Sequence, residues 1–130
     1  MKFFTLHEAN EVLPLIRPEL ERLKNLYVQI GALGDQVKAA AAANEFGGGM
    51  QGGSIYVRSL EDIQQIMADL NDKGIQVKDE RRGLIDFPCL LGGRVVLLCW
   101  QLGEQEEIEW WHEVEGGFAG RQKLKDFPQP

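Results

Sequence analysis

The chain is short of basic charge, of histidine and cysteine, and of long apolar runs, and each shortage removes a class of function. Fourteen Lys and Arg against twenty Asp and Glu leave a net charge of −6. Proteins that hold nucleic acid do so largely by neutralising phosphates with Lys and Arg, so a phosphate backbone is excluded as the main partner. The one basic cluster, Lys78 with Arg81 and Arg82, is interrupted by Asp79 and Glu80 and reads as a solvated turn. No run of about 18 apolar residues is present to cross a bilayer, and no membrane partner is expected. The opening MKFFTLHEANEVL reaches His7 and Glu8 before any long apolar stretch and lacks a small-residue cleavage site, so a cytoplasmic location is expected. With two His and two Cys there is no CxxC or HxH spacing. The HExxH arrangement of helical metalloproteases is absent as well, because Val114, Glu115 and Gly116 follow His112 and Glu113.

What is present fits a soluble α+β protein. A chain of 130 residues accommodates one domain, expected over 1–130, and at this size about two-thirds of the unfolded chain's surface can be buried. Thr5 and Glu8 form a capping box that starts a helix near Leu6. Pro14 removes a donor and disfavours the helical conformation at Leu13, which predicts that this first helix stops or bends there. Beyond it Ile16, Leu20, Leu23, Tyr27, Ile30, Gly34 and Val37 recur at steps of four and three, a heptad seam running into the alanines 39–43. The stretch GGGMQGG then predicts a flexible connection over 46–53, and without a Gly-Lys-Ser/Thr ending it is no phosphate loop. Tyr56, Leu60, Ile63, Met67 and Leu70 repeat the spacing, and Gly74 supplies a C-cap. The helical part, about 5–74, therefore reads as a long antiparallel hairpin with a bent N-terminal helix. Its first seam is the longer, and the surplus predicts a homodimer or contact with another protein.

From Ile75 the period changes to two, predicting a small antiparallel sheet of three or four strands with a tail over about 75–130. GIQVKD is one strand, LIDFPCLLGGRVVLLCWQL is a hairpin turning at Gly92-Gly93, and EEIEWWHEV is a fourth. A two-residue turn sets Asp86 opposite Cys99 and Cys89 opposite Val96. The cysteines then lie on opposite faces and are free thiols. One face, with Ile85, Phe87, Cys89, Val96, Leu98 and Trp100, suits packing on the helices. The other, with Leu84, Asp86, Pro88, Leu90, Val95, Leu97 and Cys99, also needs a cover, either the tail or another subunit. A buried Asp86 needs a partner, and the candidates are Arg121, His112 or a metal ion, with an Asp86–Arg121 pair as the structural expectation.

The segments FTLHEANEVLPLIRPEL, GLIDFP, LCWQLGE and WHEVEGGFAGR together resemble a bacterial protein family known as domain of unknown function 2203. The resemblance spans nearly the whole chain. It implies that Glu8, Asn10, Pro14, Gly83, Asp86, Phe87, Trp100, Glu104, Trp111, His112, Gly117, Phe118 and Arg121 occupy the family's motif positions; it implies no activity.

Three functional readings follow from the residues. The first is a non-enzymatic, dimeric interaction module, for which the Asp86–Arg121 link and exposed apolar surface suffice. Trp110 and Trp111 point opposite ways on a strand, so one is partly exposed as a contact residue, while Phe118 is expected as a plug in the core. The second is a metal-assisted enzyme or metal-binding protein using Asp86, Glu104 and His112 with Mn, Fe or Zn. Glu113, adjacent to His112, points the other way on an extended strand and joins only through a bend. The third is an anion binder in which Gly116, Gly117 and Gly120 let a tight loop present Arg121. Two catalytic variants, His112 as a base oriented by Asp86 and Cys99 as a nucleophile, are weaker, the latter because a facing carboxylate suppresses the thiolate.

Overall fold

The structure is a computed structural model and describes residues 1–42 and 51–126. Two helices, α1 (Leu6–Ala42) and α2 (Gln51–Asp72), form a hairpin that packs on five antiparallel strands. These are β1 (Gln76–Asp79), β2 (Leu84–Leu91), β3 (Arg94–Gln101), β4 (Trp110–Glu113) and β5 (Gln122–Lys123), paired in chain order. Short 3-10 turns at Phe118–Gly120 and Leu124–Asp126 flank β5.

The capping box at the start of α1 is formed in both directions. The Glu8 backbone N–H donates to Thr5 Oγ1 and the Thr5 N–H donates to Glu8 Oε1, each at 3.0 Å. The break expected at Pro14 does not occur: one helix of 37 residues runs through both Pro14 and Pro18. An interior proline costs about 3 kcal/mol. Both rings sit on the exposed side, while Leu13, Ile16, Leu20 and Leu23 are fully buried on the other. At about 1.5–3 kcal/mol for each buried side chain, packing outweighs the two missing donors.

The helix α2 begins earlier than its composition suggests, taking in Gln51, Gly52 and Gly53, which the sequence assigns to a flexible connection. The rest of that connection lies outside the described residues. Ser59, Ile63, Ile66 and Leu70 form the buried face, and Leu60 turns outward. A Schellman motif closes the helix. Ile75 N–H bonds to the Leu70 carbonyl at 3.1 Å and Gly74 N–H to that of Asn71 at 2.9 Å, with Gly74 at φ 86°. Ile75 and Leu70 are both buried, which gives the apolar contact that accompanies this cap.

The hairpin register follows from the Gly92-Gly93 turn, both residues having positive φ. Asp86 lies opposite Cys99 and Cys89 opposite Val96. The near face of the sheet, with Ile85, Phe87, Cys89, Val96, Leu98, Trp100 and Trp111, shares one core with Ala9, Leu13, Ile16, Leu20 and Leu23 of α1. The first half of α1 is therefore covered by the chain's own sheet. No helix among the described residues is long and apolar enough to cross a membrane.

The connection from β3 to β4 is tied to α1. Asn10 Oδ1 accepts from the Ile108 N–H at 2.8 Å, and the Trp100 indole donates to the Gln105 carbonyl at 2.8 Å. These bonds fix the turn that carries Glu104. The fourth strand is correspondingly shorter than EEIEWWHEV, because its first half is spent on these anchors.

Candidate metal centre

Alternation along the strands sends Asp86 of β2, Cys99 of β3 and His112 of β4 to the far face. Asp86 pairs with Cys99 and Cys99 with Trp110, a row across three strands, while His112 sits beside Leu97 one pleat away. The residues are 1%, 1% and 2% exposed respectively. One donor atom from each, a carboxylate oxygen, Sγ and a ring nitrogen, lies within 4.8 Å of the other two. Among the described residues this is the one such group of three metal-ligating side chains.

The ring of His112 is fixed from both ends. Its Nδ1 lies 2.7 Å from the carbonyl oxygen of Glu113, an acceptor only, so Nδ1 carries a proton. Its Nε2 lies 3.0 and 3.1 Å from the two oxygens of Asp86. The hydrogen bond to Asp86 raises the His112 pKa above its ordinary value; burial opposes this, and the Glu113 carbonyl reinforces it. Cys99 is pushed up to about 12, first by burial and then by the Asp86 carboxylate. Both effects favour the thiol over the thiolate, and His112 gives its nitrogens to Asp86 and a backbone carbonyl.

The expected tail pin, an Asp86–Arg121 pair, is not formed. Arg121 Nη2 instead reaches both oxygens of Glu104, at 2.6 and 2.8 Å, and Asp86 is taken by His112. The reason is where the tail runs. Arg121 stacks on the ring of Trp110 at 4.6 Å and on that of Phe118 at 4.7 Å, beyond Cys99 as seen from Asp86. Arg82 lies over the Phe118 ring and Lys123 over that of Trp110, so cations and rings alternate. Phe118 is 41% exposed in this stack and does not plug the core. Trp111 is the inward tryptophan and Trp110 the half-buried one.

Of the residues the sequence nominates for a metal, Asp86 and His112 converge and Glu104 stands apart with Arg121. Glu113 contributes its carbonyl, while its carboxylate turns away to Arg94 at 2.7 Å. The guanidinium of Arg121 already holds a carboxylate, which leaves it less suited to cradle a free anion. The residue that sequence reasoning missed as a metal candidate is Cys99. Its signal was the hairpin register, which sets it directly opposite Asp86.

The donor set suits a transition metal. Tetrahedral zinc with bonds of about 2.0–2.3 Å places its ligand atoms about 3.3–3.8 Å apart, within the spread of the three donors. Metal-ligating histidines also donate their second N–H to a carbonyl or carboxylate, as Nδ1 does here. An α+β helical hairpin on a meander sheet, with one buried Asp-Cys-His cluster, is what fold and site define. The chain belongs to the uncharacterized conserved protein family DUF2203, whose model matches residues 2–124. No curated protein and no solved structure matches it.

Proposed function

We propose that this chain is a transition-metal-binding protein whose ligands are Asp86, Cys99 and His112, with zinc the best-suited ion. The observation that carries the reading is the convergence of three donor atoms within 4.8 Å on a buried sheet face. One sulfur, one imidazole and one carboxylate make a mixed set of the kind zinc accepts, whereas Mg and Ca favour oxygen alone. The carbonyl of Glu113 supports the reading by holding Nδ1–H and leaving Nε2 for the ion. When bound, the metal would replace the Cys99 thiol proton and the proton shared between His112 and Asp86, so the cluster stays neutral with a divalent ion.

The test is titration of the metal-free full chain with Co(II), followed by displacement with Zn(II). A thiolate-to-cobalt charge-transfer band that saturates at one equivalent is expected, lost in Cys99→Ser and His112→Gln. Absence of the band in the folded wild type, or its persistence in Cys99→Ser, would overturn the assignment.

A further inference from the structure

The sheet covers the helical hairpin only to about the middle of α1. The last α1 residue buried in the common core is Leu26, and the first on α2 is Ile63. Arg81, in the turn between β1 and β2, lies over the ring of Tyr27 and marks where the sheet ends. From Tyr27 to Ala42 the helix runs on for about 24 Å, with α2 as its neighbour and the Tyr56 ring seated against Gly34. We infer that this overhang is a dimer interface, on which a second copy of the chain lays its own hairpin antiparallel to complete a four-helix bundle.

Apolar exposure is the first observation that carries it. Val28 is 68% exposed, Val57 54% and Leu60 37%. Tyr27 stands one heptad after Leu20, and Leu60 one heptad before Met67, so both continue the stripes that pack into the core nearer the sheet, with Val28 and Val57 at their margins. A helix pair that buries one seam and leaves apolar flanks bare lacks the second layer that such stripes require.

The second observation is a self-complementary pattern on α1, which selects a copy of this chain as the occupant. Lys24, Val28, Gly31 and Asp35 follow one another at steps of four, three and four, and all four are exposed. They form one stripe along the helix. Neither Lys24 nor Asp35 has an ion-pair partner among the described residues. A two-fold axis between Val28 and Gly31 sets α1 antiparallel to its copy and places Lys24 against the partner's Asp35, once on each side of the axis. The same axis sets Val28 over the partner's Gly31. Nothing stands within 4 Å of a Cβ position at Gly31, so the valine enters open space as a knob enters a hole.

Area is the third. Two helices side by side, each about 10 Å across, make a face about 20 Å wide and about 24 Å long. Two such faces in contact bury on the order of 1,000 Å² in total, which reaches the size a specific interface needs.

The test is sedimentation equilibrium of the full chain over a range of concentrations. The wild type should be a dimer. Val28→Glu and Val57→Glu change side chains that are mostly exposed in the single chain, so helical circular dichroism should be kept while the dimer weakens about 100-fold or more. Leu15→Glu, 74% exposed on α1 and away from this stripe, should leave the dimer intact. Lys24→Asp and Asp35→Lys should each weaken it about 10-fold, since each sets like charges together twice, and the double variant Lys24→Asp/Asp35→Lys should restore it. A wild type that is monomeric at every concentration would overturn the inference and leave the face to a different protein. A dimer that survives both glutamate substitutions would overturn it as well. A double variant no tighter than the single ones would overturn the antiparallel two-fold arrangement.

Discussion

At the residue scale, His112 is defined by what its two nitrogens touch. In the metal-free chain the Asp86 carboxylate holds the imidazole protonated above its ordinary pKa of 6.5. Of the other groups facing it, Cys99 on β3 stays a neutral thiol, and the charge of Lys78 on β1 opposes protonation. The contribution to stability is fully present below 6.5, the unfolded value, and is lost as pH rises through the raised folded value. With chelator present, the melting temperature of the wild type should exceed that of His112→Gln most at pH 6, with the gap narrowing as pH approaches 8.5 and the Asp86 carboxylate present in both. A gap that is constant or widens with pH would contradict the protonated pair. Much of this site was legible in the sequence. A buried Asp86 demanded a partner, His112 was one of the candidates, and the hairpin register set Cys99 beside it. The Glu104–Arg121 bond was not legible, because it depends on the path of the tail over Trp110, which no periodicity encodes.

At the element scale, local signals and packing compete, and α1 shows both outcomes. Thr5 and Glu8 dictate where it begins, and the bonds form as those residue types predict. Removing the cap hydroxyl with Thr5→Ala should lower stability by about 1 kcal/mol, read as a shift in the urea midpoint at unchanged m-value. Because the Glu8 carboxylate is held below its usual pKa by its bonds to Thr5, this difference should shrink as pH falls through the carboxylate range. A Thr5→Ala protein as stable as wild type at pH 7 would show that the cap is idle. Pro14 is the opposite case. Its local preference is to end the helix, and it loses to a continuous row of buried side chains from Ala9 to Leu23. The glycines at the start of α2 are overridden in the same way, so the strongest breakers in the sequence marked the least reliable boundaries.

At the scale of the whole molecule, the centre of the sheet, in β2 and β3, is buried on both sides for different reasons. Its near face meets the helical hairpin in an apolar core that the alternation of β2 and β3 announced. Its far face holds a polar cluster, with the tail stacked beside it through Phe118, Arg121 and Trp110. Periodicity gave the helical hairpin, the first four strands and the two faces of the sheet, whereas the return of the tail as β5 carries no such signal. The measurement that bears most directly on the account is elemental analysis of untagged protein purified without chelator, beside Cys99→Ser and His112→Gln. About one zinc or other first-row ion per chain in the wild type, absent from both folded variants, is the result predicted. Metal-free wild type that stays metal-free after equilibration with equimolar zinc, or variants that retain the full metal content, would contradict it.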